Sequence, residues 1–333
     1  MRRAVRFLIG TVLGGGTLVA YLFTVGFDRV LQRLVALPAW TILLVGGLVV
    51  AEGLADSIGV WASVHPLGDG LSGFESVQFA MAGDFFDILS PAGPVSSEPI
   101  MAQFIGVCTE TSYSEALGVR SVAKYVKAAA QLLVSILLGA VVVVFGTTPQ
   151  SLLVSLGVGI LGLLGVGLAV LFFREPISTL AVAVLAPIVS RISALYRDEP
   201  YDRSAIETAV TRFWIRVGQF RTTPGLLGLI AIGGVLEQVL TATALWVALL
   251  GSGDPVVWLP LVVIIPLPQI ASVVPIPASL GAYDILLGGA IGLVTGVSPV
   301  VAAAAVLLVR SLTIPFGLTV GGFAVAFLRG WRP

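Results

Sequence analysis

Leu89-Ser90-Pro91-Ala92-Gly93-Pro94-Val95-Ser96-Ser97-Glu98-Pro99 is a helix-breaking, acid-bearing stretch in a chain that is otherwise apolar over long runs. A second stretch, Pro275-Ile276-Pro277-Ala278-Ser279-Leu280-Gly281-Ala282-Tyr283-Asp284, repeats the Pro-Ala step and again places an acid seven residues after a proline. A shift of 186 positions without a gap superposes Pro91 on Pro277, Ala92 on Ala278, Glu98 on Asp284, Thr109 on Thr295, Ser112 on Ser298 and Lys124 on Arg310. A Gly/Ala/Val-rich background produces chance identities, but breaker, acid and base are rare here and all three fall in register. Apolar segments interrupted by Gly and Pro at corresponding places in two halves point to a transporter-type site at a repeat interface.

Outward from these stretches, composition sets the class. The 333 residues are 57% hydrophobic and 11% charged, with mean hydropathy +1.05. Apolar runs near twenty residues match a bilayer core, which excludes a soluble domain. Net charge is zero and the bases cluster in short flanks, so no nucleic-acid surface is expected. Cys108 and His65 are each the sole residue of their type. That rules out an internal disulfide and a cysteine metal cluster, and leaves no Ser-His-Asp set to assemble. No metal, cofactor or catalytic residue is expected, and the glycine stripes match neither GxGxxG nor GxxxxGK[ST]. Arg2, Arg3 and Arg6 precede an apolar run too long for a signal-peptide core, which reads as a retained anchor helix.

The predicted architecture is an all-α integral membrane protein, one transmembrane domain of about six full crossing helices plus two re-entrant helical hairpins, eight hydrophobic units by hydropathy. Two inverted repeats, about 39–145 and 225–328, are joined by a linking helix at 152–173 and a charged cytoplasmic segment at 174–222. Crossing helices are expected at 7–25, 39–64, 114–145, 152–173, 225–250 and 299–328, with a short polar link holding Asp28, Arg29 and Arg33 after the first. Residues 74–86 and 100–108 are too short and too polar for two crossings. They read as half-helices meeting at an irregular tip, which is tolerated at membrane depth where protein or a water-filled cavity satisfies the backbone. Residues 177–194, interrupted by Pro187, are expected to lie on the surface, although a crossing there would change the topology. Placing both termini in the cytoplasm puts Arg120, Lys124, Lys127 and the arginines of 174–222 inside and only Arg29 and Arg33 outside. The hairpins would then enter from opposite sides and their tips, Pro91, Gly93, Ser96 and Ser97 against Pro277, Ser279 and Gly281, would meet near the midplane.

Candidate site residues follow from the cost of charge at that depth. Glu98 and Asp284 either bind a proton, a cation or a polar head group where the tips meet, or cap half-helices. Ser96, Ser97 and Glu98 stand where N-H groups are free and the dipole is positive. Lys124 and Arg310 either neutralise a lipid phosphate or serve structure, Lys124 by snorkelling and Arg310 in an ion pair. Glu52 and Asp56, one turn apart on one face, and Glu237 are either cavity acids or interhelical acceptors. Asp84 and Asp87 read as cytoplasm-facing polar residues of the first hairpin. The glycines of 157–167 suit tight helix packing.

At the two breaker stretches the sequence resembles the lysylphosphatidylglycerol synthase transmembrane-region family, the flippase-like domain also found behind archaeal dolichol-phosphate glycosyltransferases. The residues that carry the likeness are Gly83-Asp84-Phe85-Phe86-Asp87 leading to the Pro91–Pro99 stretch, and the Pro275–Asp284 stretch leading to Arg310. The chain departs from the family pattern at Ser96 and Ser97, at Ala278 and Ser279 where Gly-Gly is frequent, at Met101 where an arginine is frequent, and at Asp284 where a glutamate is frequent. The resemblance implies that the chain moves or handles membrane lipids, such as aminoacylated phospholipids or polyprenyl-linked glycolipids, as a stand-alone multi-pass protein of the cell membrane. The alternatives are a non-transporting scaffold or subunit for a glycosyltransferase or aminoacyl-lipid synthase and, more weakly, a membrane enzyme acting on a lipid head group.

Overall fold

A computed structural model of the chain describes residues 2–89, 94–144, 150–193, 203–269 and 277–328. Among the described residues there are helices and turns but no strand. The helices are α1 (Arg2–Val25), α2 (Phe27–Val35), α3 (Ala39–Val64), α4 (Gly73–Leu89), α5 (Pro94–Cys108), α6 (Tyr113–Val144), α7 (Gln150–Phe172), α8 (Arg174–Ser193), α9 (Arg203–Gln219), α10 (Pro224–Gly251), α11 (Trp258–Ile264), α12 (Ala282–Thr295), α13 (Pro299–Phe316) and α14 (Gly322–Ala326).

Local sequence explains several of the boundaries. Both α4 and α6 open with a Ser-x-x-Glu box: Ser72 N-H donates to Glu75 at 2.9 Å and Ser112 N-H to Glu115 at 3.0 Å, while Glu75 and Glu115 N-H donate back to the serine hydroxyls. These reciprocal bonds satisfy donors that a helix start leaves free. Pro224 and Pro299 occupy the first turns of α10 and α13, where a missing N-H costs nothing.

Among the described residues four helices are long and apolar enough to cross a membrane: Ala39–Val64, Tyr113–Val142, Pro224–Gly251 and Pro299–Ala326. A fifth crossing exists if α7 and α8, which meet at a 75° bend, form one broken span. The class expected from sequence therefore holds at the level of a helical membrane protein, with four or five candidate spans where about six were expected. The segment holding Asp28, Arg29 and Arg33 is not an open link but the amphipathic helix α2. Arg33 donates to the Ser252 carbonyl and the Asp254 carboxylate, both at 2.8 Å, which ties α2 to the turn after α10.

Helices α3 and α10 form the central pair. They approach closely because Gly233 lies against the α3 backbone, where an added Cβ would sit 3.0 Å from Gly59 N. Two apolar cores flank the middle of this pair. One joins the end of α3 to α4, α5 and the start of α6; the other joins the end of α10 to α11, α12 and α13. Helices α4 and α5 pack on each other, and their outer ends come together at one end of the bundle, with Cys108 Sγ 4.0 Å from Glu75 Oε1. Helix α9 is fastened to the same end: Arg216 pairs with Glu115 at 2.8 Å and donates to the Pro66 carbonyl at 3.1 Å. Toward its C-terminus α13 loosens into a π turn, Gly317–Gly321, that lies against α4. Of glycines 157, 162, 165 and 167, expected to serve packing, only Gly167 meets a neighbour, the Tyr125 ring; the other three face open space.

Candidate functional site

Between the two cores lies a cavity of about 390 Å³. Its wall is formed by the middle of α3 and α10, by α4, α6, α12 and α13, and by the short turn Pro277–Ser279. Apolar side chains supply most of the lining, and charges of both signs are set among them. Glu52, Asp56, Asp84, Asp87 and Glu237 face Arg120, Lys124, Lys127 and Arg310.

Helix α6 contributes three of the bases from one face, and the spacing of Arg120, Lys124 and Lys127 produces this stripe. Arg120 grips Glu98 of α5 through two bonds, each 2.8 Å, and is itself buried. Lys124 reaches Glu98 at 3.0 Å and Asp87 at 3.9 Å. Lys127 bridges the central pair, contacting Asp56 of α3 at 2.9 Å and Glu237 of α10. On the opposite wall Arg310 of α13 pairs with Asp284 at 3.1 Å, donates to the Ala278 carbonyl at 2.5 Å and stacks over the Tyr283 ring at 5.1 Å. Asp284 in turn accepts from Gly281 N-H at 2.8 Å, closing the start of α12.

The two acid–base pairs occupy positions related by the 186-residue shift, Glu98 with Lys124 and Asp284 with Arg310. The same shift relates Glu52 to Gln238 and Lys127 to Thr313, and all four of these residues line the cavity. A polar seam runs through the wall from Gln131, Gln238 and Gln269. Gln131 donates to the Gly234 carbonyl at 2.9 Å, Gln269 to Gln131 at 3.0 Å, and Gln238 to Ser135 Oγ and the Val262 carbonyl, both at 2.8 Å.

Set against the sequence expectations, the geometry redistributes roles. Glu98 and Asp284 do not line the cavity; they stand behind cations that do. Glu98 lies beyond the first turn of α5, and its carboxylate goes to α6 rather than to the helix start. Lys124 does not snorkel, because two carboxylates hold it inward. Asp84 and Asp87, read as cytoplasm-facing, line the cavity. Arg120 and Lys127, counted among the cytoplasmic flanking charges, are wall residues with internal partners. The lengths 7 and 4 that separate Lys127 and Lys124 from Arg120 were the signal for this stripe in the sequence.

At the tips, Ser97 is buried and donates to Asp87, so it joins α5 to α4. Ser279 lines the cavity and Gly281 has φ 80°. Pro277 starts the short turn. Pro91, Gly93 and the Ser96 side chain lie outside the described residues. Among the described residues no cluster of His, Cys, Asp and Glu is suited to a metal ion.

The family described as the lysylphosphatidylglycerol synthase TM region matches residues 4–321. The chain belongs to that family. Membership covers every helix of the cavity wall, so the wall is part of the family's common region rather than an added module. Comparisons with curated proteins and with solved structures gave no match.

Proposed function

We propose that this member of the lysylphosphatidylglycerol synthase TM region family is a lipid flippase-like transporter that moves a phospholipid or polyprenyl-linked glycolipid between leaflets. The observation that carries this reading is the cavity: about 390 Å³, walled by four bases and five carboxylates, in a bundle otherwise apolar enough for a bilayer. A volume of this size falls in the range of small-molecule sites, and charge inside a membrane protein marks a substrate or ion path by default. Lys124 and Arg310 offer cations from opposite walls for a head-group phosphate. Each is backed by an acid, Glu98 or Asp284, that fixes its position. Glu52, Asp56 and Glu237 supply acceptors for hydroxyls or an amine. The acyl or prenyl chains remain in lipid beside the bundle.

The family's link to membrane lipids supports the same substrate class. The hairpin α4–α5 and the α11–α12 unit would be the re-entrant elements of two inverted repeats, with both termini of the chain cytoplasmic. No catalytic residue or cofactor takes part. Membrane lipids are the partners of this reading. A scaffold docking a lipid-modifying enzyme is the reading that a failed transport test would favour.

The test uses purified protein in vesicles that carry a head-group-labelled phospholipid and an impermeant quencher outside. Flippase activity gives faster loss of the inner-leaflet signal than protein-free vesicles show, and Lys124→Gln or Arg310→Gln slows it at least tenfold. Equal rates with and without protein across phospholipid and polyprenyl-phosphate probes would leave the scaffold reading standing.

A further inference from the structure

The charges around the cavity do not balance. Glu52, Asp56, Asp84, Asp87, Glu98, Glu237 and Asp284 face or back it, against Arg120, Lys124, Lys127 and Arg310. Every one of these bases is already engaged. Arg120 holds Glu98, Lys124 lies between Glu98 and Asp87, Lys127 lies between Asp56 and Glu237, and Arg310 holds Asp284. Glu52 on α3 and Asp84 on α4 are the cavity carboxylates that no base reaches within ion-pair distance among the described residues. From α12 the nearby ionisable group is the Tyr283 phenol, which supplies no positive charge.

A second observation comes from another helix. Gln238 of α10 is fully buried in the cavity wall, and its amide nitrogen is committed to Ser135 and to the Val262 carbonyl. The Val262 carbonyl can only accept, so the amide orientation is fixed and Oε1 is left as an acceptor without a donor among the described residues. The cavity therefore lacks two things at once, positive charge beside Glu52 and Asp84 and a hydrogen-bond donor beside Gln238. A buried polar group in such a state is costly unless something fills the need. Metal ions fit poorly, because among the described residues no three carboxylates gather closely enough to hold one.

We infer that Glu52 and Asp84 form a proton-binding site, and that the cavity takes up protons there from water and returns them to water as its occupant changes. The two protons remove two of the three excess negative charges, and each protonated carboxyl becomes an O-H donor in the wall that holds the donorless Gln238 Oε1. This site lies in the cavity of the transport reading and would couple head-group entry to proton release. Its direct test needs no transport.

Purified protein in lipid nanodiscs is examined by infrared difference spectroscopy while pH is changed, in wild type, Glu52→Gln, Asp84→Asn and the double variant. The expected result is a protonated-carboxyl C=O band in the wild type near neutral pH, reduced in each single variant and lost in the double variant. A wild type without that band, or a band the double variant retains, overturns the inference, and the wild-type arm does not depend on any variant folding. A band that disappears on adding sodium or magnesium at constant pH also overturns it, since a metal ion would then be the occupant. In the vesicle assay, a wild-type rate that varies with pH and a double-variant rate that does not would agree with the site. Vesicles that show no lipid movement at all count against the transport reading alone.

Discussion

Glu98 is shared by two cations of α6, both donor nitrogens of Arg120 and the ammonium of Lys124. Removing its charge leaves two inward-held bases without their counterion, and breaking a buried pair from one side costs about 3–5 kcal/mol. Glu98→Gln is therefore expected to lower the thermal midpoint in detergent sharply, while Glu98→Asp loses less. Equal midpoints for wild type and Glu98→Gln would show that Glu98 is not a structural anchor. Ala278 and Ser279 carry φ of 52° and 50°, the left-handed region that disfavours side chains with a Cβ. Arg310 holds that turn by bonding the Ala278 carbonyl. Ala278→Gly should relieve about 1 kcal/mol of strain and raise the thermal midpoint, and a lower midpoint would mean that the alanine methyl contributes packing worth more than the strain. The departure from the family's frequent Gly-Gly falls on this pair of backbone angles.

At the scale of the elements, the cavity exists because helices are held at set separations. Gly321 in the π turn lies where an added Cβ would come within 2.4 Å of the Met81 carbonyl oxygen of α4, a backbone atom that cannot move aside alone. Gly321→Ala should push α13 from α4 and destabilise the fold by about 1–3 kcal/mol. Gly162→Ala, on a face of α7 with nothing within 4 Å, should be neutral or slightly stabilising because alanine favours helix. Parallel thermal melts of the two variants check the contrast. If both melt with the wild type, the contact between α4 and the π turn is not needed to hold the wall.

For the whole molecule, orientation in the membrane is the open consequence of the fold. Ala36 follows α2 at one end of α3, while Thr222 follows α9, which Arg216 fastens to Glu115 and Pro66 at the other end. Both positions are exposed. In a Cys108→Ser background, cysteine at Thr222 is expected to react with an impermeant maleimide only after inner-side access is given, and cysteine at Ala36 from outside in intact cells. Both labelling from the same side would break the inverted arrangement. Part of the flanking charge is no guide to that orientation, because Arg120, Lys124 and Lys127 are used inside the bundle.

The sequence by itself determined the class, since apolar runs of bilayer length leave a helical membrane protein as the solution, and it determined the starts of α4, α6, α10 and α13 through Ser-x-x-Glu boxes and prolines. It also brought Glu98, Lys124, Asp284 and Arg310 to notice, because a rare charge at repeated spacing stands out against an apolar background. Only the tertiary structure decided which charges meet. Asp84, Asp87, Arg120 and Lys127 resemble interfacial flanks in the sequence, and their place in the wall depends on how α4 and α6 tilt against α3 and α10. The same holds for the reversal at the acids: Glu98 and Asp284 stand behind the cations because side chains from separate helices converge there. Ion pairs between distant segments leave no periodic trace along a chain, whereas burial of a helix face does.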